Sequence, residues 1–485
     1  MDDMLYVVHQ QGFTGKIFRL MTSLSKNLTA RVKTKAGITR EIRRETGGKQ
    51  GGKLMVPLFA KMMDTLPEGM HEDSHLGMEI GKMRPACLAY VDDATTLAIG
   101  YKQQEMTLKV INEFAEKHQL EWGEQKCQVM EIGNHIEKRT QWELGKKKIG
   151  NCESYKYLGE IIARNGKNTE NISARKNKVT ATVREIMNCG KSGVMKRIET
   201  KVLLKLHEAV LLPSLLSASE TWILNSEERK EIDKIEFQAL KTMFGLPPTT
   251  PRPAVIFVTG SLYGEIRVRS RQLLYLQKLL LKGDHHWAKE TLMLLKQNNT
   301  GWAAKIIETL ECWGLETDWS KIAQKSKSEW KCEVENKAEE ANKNKLIEEC
   351  HSNEHGNRKL KTKTKTILEE IEKPEYKRKP AEILNNLTVL ETRAFIMGKY
   401  GMLNCGANYA MRSGYKSCGK CGKIDDENHR INDCVLYRDV NLCDSDEKSE
   451  FNDIFSGDGE LIECVIKKIL ATWDLGYGNN TMRTS

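Results

Sequence analysis

The sequence predicts an α+β arrangement in its N-terminal third, a helical region after it and a small metal-binding module near the C-terminus. Strand-like runs flank Asp92 and Asp93 in "ACLAYVDDATTLAIG" (86–100), which reads as a β-hairpin with two acids at its tip. Helical periodicity follows in "EMTLKVINEFAEKHQ" (105–119), where Leu108, Ile111, Phe114, Ala115 and His118 fall near one stripe, and "CQVMEIG" (127–133) then alternates like a strand. Hairpin, helix and strand together make a small antiparallel sheet packed on helices. Cys418, Cys421, His429 and Cys434, spaced C-x2-C-x7-H-x4-C, define the module.

The chain has 485 residues, more than one hydrophobic core usually serves. The segments predict four regions: 1–165 (mixed helix and strand), 166–282 (helical), 283–400 (a charged helical region or linker) and 401–485 (the zinc-knuckle-like module). In the second region "RIETKVLLKLHEAVLLPSLL", "SEERKEIDKIEFQALKTMFG" and "RVRSRQLLYLQKLLLKG" are the clearest helices. Ser226 reads as an N-cap before Glu227 and Glu228; Gly245, then Pro247 and Pro248, reads as a stop that Pro251 and Pro253 extend. In the third, Arg358 to Lys379 carries nine Lys or Arg against four Glu, which fits a solvated helix or linker as well as a phosphate-contacting patch.

Lys and Arg number 76 against 66 Asp and Glu, a net charge of +10, which favours an anionic partner and makes nucleic acid the first candidate. The longest apolar run, "AVLLPSLLSAS" (209–219), is broken by Pro213 and is too short to span a bilayer, so no membrane helix is expected. The acidic N-terminus has no secretory pattern, and the 13 mostly scattered cysteines fit a reducing compartment; the protein is expected not to be secreted.

Two-metal phosphodiester synthesis needs carboxylates converging on Mg²⁺ ions about 4 Å apart, and a hairpin tip bearing Asp92 and Asp93 supplies part of such a site. The same string also fits a turn that uses Asp only for local hydrogen bonds. Cys418, Cys421, His429 and Cys434 would close a tetrahedral, structural Zn²⁺ shell with no open position, the other reading being ordinary reduced cysteines. Lys420, Lys423 and Arg430 around it could meet phosphates, while Asp425, Asp426 and Glu427 oppose that. Phe451, Ile454, Ile466 and Ile469 would pack the C-terminal helices against it.

Taken with its neighbours, the hairpin resembles that of the reverse transcriptases of non-long-terminal-repeat (LINE-type) retrotransposons. "AYVDDAT" resembles their catalytic hairpin and "GGKQGGKLMVPLFAKMMDTL" (47–66) their Gln-Gly template and nucleotide segment, with Met-Val-Pro where Ser-Pro is usual. "LEWGEQKCQVMEIG" (120–133) resembles their Lys-containing turn, "YKYLGEII" (155–162) their primer-grip hairpin, and "SASETWILNSEERKEIDKIEFQALKTMFGL" the segment after the polymerase core. The resemblance covers about residues 5–280 plus the cysteine cluster.

It implies a partial polymerase palm at 1–165 and a thumb-like region at 166–282. Asp92 would be the principal Mg²⁺ ligand with Asp93 supporting it, Tyr90 would lie beside the primer end, and Lys126 would sit near the triphosphate, although a solvated turn lysine reads equally well. Gln50 and Gly51 would line the template and incoming nucleotide. It implies an RNA template with a DNA primer or an RNA/DNA hybrid as partner, and a nuclear or cytoplasmic location. The family's further Asp, on an Ala-Phe-Asp strand, would align just before Met1, and Asp2 or Asp3 on a frayed terminus is not expected to replace it. The expectation is therefore a reverse-transcriptase protein that is catalytically incomplete, or a non-catalytic nucleic-acid-binding remnant acting through its helices and zinc module.

Overall fold

The computed structural model describes residues 2–25, 29–35, 37–43, 55–133, 141–189, 198–248, 250–352, 365, 367–373, 376, 378, 381–400, 417–418, 421–424, 426, 429 and 459–472. The chain divides into two compact units: 1–167 with 281–304, and 168–280 with 305–485.

The first unit mixes helices with small sheets. Helices α1 (Asp2–Gln10) and α3 (Met55–Glu72) pack through Met4, Val7 and Met62. Between them lie α2 (Gly15–Ser25) and four short strands, β1 (Thr29–Ala30), β2 (Lys33–Thr34), β3 (Gly37–Ile38) and β4 (Ile42–Arg43). On its other side α3 buries Met63, Leu66 and Met70 with Leu76, Ala86 and Cys87, which seats strand β5 (Cys87–Tyr90) on the helix. His71 Nε2 lies 3.1 Å from the Cys87 carbonyl and ties the helix end to that strand.

Strand β6 (Asp93–Thr96) pairs antiparallel with β5, and helix α4 (Gly100–Lys117) follows. Leu108 and Ala115 of its expected stripe are buried, as is His118 just beyond it. After α4 the strand-like stretch at 127–133 is only β7 (Gln128–Val129), and its partner β9 (Lys147–Asn151) runs parallel to it. Strand β8 (Gln141–Leu144) pairs antiparallel with β9, and Trp142, Leu144 and Ile149 pack on Leu108 of α4. The β8–β9 turn needs glycine: Gly145 has φ +59°, and a Cβ there would lie 2.2 Å from Asn112 Oδ1. Strands β10 (Ser154–Tyr157) and β11 (Glu160–Ala163) form a further hairpin. Among the described residues the expected single small sheet is therefore several separate ones, four of two strands and one of three.

The second unit is helical: α5 (Thr169–Cys189), α6 (Thr200–Leu206), a π-helical turn (His207–Leu211), α7 (Leu212–Leu216), α8 (Ser226–Met243), α9 (Arg252–Thr259) and α10 (Gly264–Leu280). The N-cap of α8 is Asn225, one residue before the expected Ser226, because its side chain accepts from Glu228 N while the Glu228 carboxylate accepts from Asn225 N. Gly245, with φ +61°, follows the end of α8 as expected. Pro253 does not extend the break; it lies in the first turn of α9, where its missing N–H costs nothing.

Further helices lie in 283–400: α11 (Trp287–Gln297), α12 (Gly301–Cys312), α13 (Trp319–Gln324), α14 (Lys327–Ser352) and the helix Val389–Lys399. Although α14 is charge-rich, it buries Trp330, Val334, Ala338, Asn342, Leu346 and Cys350, and the Trp330 indole donates to the Leu273 carbonyl of α10 at 2.9 Å. Most of the basic run at 358–379 lies outside the described residues, as do Phe451 and Ile454, whereas Ile466 and Ile469 are buried in the helix Gly459–Thr472. Among the described residues no helix is long and apolar enough to cross a membrane.

Candidate functional site

The β5–β6 hairpin closes with Tyr90 paired to Asp93, leaving Val91 and Asp92 as a two-residue loop. Two-residue loops need positive φ at their first central position to match strand twist. Val91 takes it with φ +57°, an unusual conformation for a β-branched side chain. Asp92, Asp93 and Tyr90 are all exposed. The two acids therefore face solvent on a tight, strained tip, where a cation or an anionic ligand bound through one can reach them.

Lys126 ends a 3-10 turn (Glu124–Lys126) whose backbone closes on the Gly123 carbonyl at 2.9 Å. The Lys126 side chain is exposed and makes no ion pair among the described residues. The β10–β11 hairpin turns at Leu158 and Gly159, both with positive φ, so it too carries a non-glycine residue in the left-handed region.

Tyr155 joins these pieces. Its phenol donates to the Lys126 carbonyl at 2.8 Å, and burial, reinforced by Cys127, Asp93 and Cys152, raises its pKa. The lysine turn and the last hairpin, separated in sequence, thus meet at one phenol, and the acidic hairpin lies near enough for the Asp93 charge to act on it. Tyr155 was given no role of its own in the sequence; its place at the head of the quoted "YKYLGEII" segment is the signal it offers. Gln50 and Gly51 lie outside the described residues.

The cysteine module is built on a tight turn. Ser417 bridges Ile424, Cys418 N donates to the Lys423 carbonyl at 2.7 Å, and Gly422 N, at φ +73°, donates to the Cys418 carbonyl at 2.9 Å. His429 is 4% exposed, its backbone N–H donating to Asp426 Oδ1 at 2.7 Å. Ligand atoms of Cys418, Cys421 and His429 lie within 4.8 Å of one another, and Cys421 Sγ is 3.2 Å from His429 Nε2. A tetrahedral zinc at ordinary Zn–S and Zn–N distances would separate sulfur and nitrogen by about 3.5 Å, so the three residues fit that ion. The other ring nitrogen, Nδ1, is buried, with no hydrogen-bond partner among the described residues. Cys434, the expected fourth ligand, lies outside the described residues, as do Lys420, Arg430, Asp425 and Glu427.

A second group of ionisable side chains, in the helical unit, escaped the sequence reading. Glu236 of α8 is buried beside Arg267 Nε (3.3 Å) and His207 Nε2 (3.7 Å). Burial is the main cause that pushes its carboxyl up to about 7, with Arg267 opposing and Asp233 adding to it, and burial brings His207 down to about 3. Asp233 accepts from Glu265 N at 2.9 Å, capping α10, and pairs with Lys345. Gly264 permits this closeness, since a Cβ there would lie 2.6 Å from Ile232 Cγ2. With Glu236 closed from solvent, this cluster is structural.

Residues 7–162 match a family model described as reverse transcriptase (RNA-dependent DNA polymerase). The matched segment contains the acidic hairpin, the lysine turn and most of the last hairpin, so the chain carries a reverse-transcriptase-type domain. A comparison with curated proteins returns no match.

Proposed function

We propose that this chain is the reverse-transcriptase part of a LINE-type retrotransposon protein, acting on an RNA template with a DNA primer or on their hybrid, in the nucleus or cytoplasm. The observation that carries the reading is that the acidic hairpin, the lysine turn and most of the last hairpin lie inside the matched region, with the Tyr155–Lys126 bond joining two of them. Asp92, supported by Asp93, would hold Mg²⁺, which when bound would activate the primer hydroxyl and neutralise departing pyrophosphate. Lys126 would offset negative charge on the triphosphate, Tyr90 would flank the primer end, and Gln50 and Gly51 would let the backbone pass close to the nucleotide. Zn²⁺ on Cys418, Cys421, His429 and Cys434 would be structural, with no open position.

A second reading is a nucleic-acid-binding protein without polymerase activity. It is favoured by the ligand set: among the described residues no third carboxylate, thiol or imidazole joins Asp92 and Asp93 in a group able to hold a metal ion. Two adjacent acids alone make a weak Mg²⁺ site, since each raises the cost of ionising the other.

Primer extension on an RNA template with dNTPs and Mg²⁺ separates them, using the full chain and its Asp92→Ala, Asp93→Ala double variant. Extension that the double substitution abolishes supports the polymerase. Salt-sensitive hybrid binding without extension supports the second reading, and an absence of both sinks the two together.

A further inference from the structure

Residues 29–35 and 37–43 form the two arms of an antiparallel ribbon in the first unit. Thr29 pairs with Arg43 and Ala30 with Ile42, then Lys33 with Ile38 and Thr34 with Gly37. Between these ladders Arg31 and Val32 oppose Thr39, Arg40 and Glu41, so the returning strand carries one extra residue, a bulge that sharpens the ribbon's twist. Val32 holds the bulge at both edges: its carbonyl accepts from Thr39 N at 3.0 Å and its N–H donates to Thr39 Oγ1 at 3.0 Å.

Among the described residues the four strands pair only with one another, and all of the ribbon except Thr39 is exposed. A two-stranded ribbon without a core is at best marginally stable in water, so a partner that binds it would add to its stability. Its charge states the chemistry of that partner. Arg31 is neutralised by Glu41 at 3.0 Å, while Lys33, Lys35, Arg40 and Arg43 are exposed and make no ion pair among the described residues. Four unpaired cations lie along a ribbon about 20 Å long. A polyanion with charges at regular spacing matches this; a folded acidic protein surface offers no such regularity.

We propose that the ribbon 29–43 is a clasp for the phosphate backbone of a nucleic-acid duplex, with Lys33, Lys35, Arg40 and Arg43 contacting phosphates. The inference rests on the nucleic-acid reading above and assigns it a surface outside the acidic hairpin. Contacts to the phosphate backbone hold a protein in position on a duplex without reading its sequence.

The test is fluorescence anisotropy of a labelled RNA/DNA hybrid with the full chain, from 50 to 300 mM salt. One variant carries Lys33→Gln, Lys35→Gln, Arg40→Gln and Arg43→Gln. A charge-matched control carries Lys102→Gln, Lys117→Gln, Lys146→Gln and Lys148→Gln, all exposed lysines of the same unit. The ribbon variant is expected to bind about tenfold or more weakly at 100 mM salt, with the slope of log affinity against log salt reduced by roughly three, and the control is expected to change little. Backbone amides of 29–43 in the unsubstituted chain should gain hydrogen-exchange protection when the hybrid is added.

If the unsubstituted chain binds no hybrid, the nucleic-acid reading falls and the clasp with it. If it binds and the ribbon variant keeps affinity and slope, the clasp alone falls. Equal losses in ribbon variant and control would mean bulk charge rather than a clasp. Loss of binding to phosphatidylserine vesicles with hybrid binding unchanged would assign the ribbon to a lipid surface instead.

Discussion

The phenol of Tyr155 donates to the backbone carbonyl of Lys126 at 2.8 Å, and the Asp93 carboxylate is close enough to help raise the pKa of that phenol. One half-buried side chain therefore fixes the turn that presents Lys126 while sensing the charge on the acidic hairpin. Its raised pKa keeps the phenol neutral, and so a donor, throughout the physiological range.

Tyr155→Phe should remove that tie and little else. Losing a net hydrogen bond of this kind costs about 1 kcal/mol. The expected result is about fivefold faster exchange of the amides at 124–127, with unit-wide secondary structure unchanged by circular dichroism. Exchange rates at the lysine turn equal to those of the unsubstituted chain would mean the bond does not hold it.

Val91 concentrates strain at the acidic tip, with φ +57° on a β-branched residue. Asparagine accepts the left-handed region more readily, at a difference on the order of 1 kcal/mol. Val91→Asn should therefore stabilise the hairpin and slow exchange at its amides 87–96 about fivefold. If the strain instead holds the two acids for a ligand, the same variant should weaken Mg²⁺ binding at Asp92 and Asp93, read by paramagnetic Mn²⁺ relaxation of the hairpin resonances.

Glu236 and His207 predict a pH dependence whose two parts oppose. Folding raises the Glu236 carboxyl from 4.5 to about 7, so the folded chain holds an extra proton in between and stability falls as pH rises through that window. Folding lowers His207 from 6.5 to about 3, so the unfolded chain holds the extra proton and stability rises with pH from about 3 to 6.5. The slopes offset one another between 4.5 and 6.5. Glu236→Gln should remove the falling part: its stability relative to the unsubstituted chain should climb from pH 4.5 to 7 and then level, by on the order of 2–3 kcal/mol. Thermal melts at pH 4.5, 6 and 8 check this, and a difference that does not grow with pH would show that Glu236 does not titrate as described.

Parts of both units were legible because their signals are local. Strand propensity around Asp92 and Asp93 marks the hairpin, and Gly245 marks the end of α8. The buried acids were not legible: "EERKEIDKIEF" reads as a solvated face, and only the approach of α10 and α14 removes Asp233 and Glu236 from water. The stripe of α14 recurs every fourth residue from Trp330 to Cys350. That spacing drifts round a helix of 3.6 residues per turn, and with charges on all sides it leaves little amphipathic signal. The tyrosine that links the lysine turn to the last hairpin was equally hidden, since its partner is a backbone carbonyl 29 positions away.

The cysteine module gives the last prediction. Ligand atoms of Cys418, Cys421 and His429 lie within 4.8 Å of one another around a turn that Gly422 tightens. His429 is buried, and its Nε2 lies 3.2 Å from Cys421 Sγ. Metal binding would repay both features: two thiols would ionise, their negative charge would meet Zn²⁺, and the turn would be locked. Elemental analysis of the purified chain should find one Zn per chain, and Cys421→Ser should lose it, along with protection of the amides at 417–424 from hydrogen exchange. Substituting Co²⁺ should give the intense visible absorption of a tetrahedral thiolate site. A folded, metal-free chain whose turn amides are unchanged by added Zn²⁺ would end the assignment, whatever its polymerase activity.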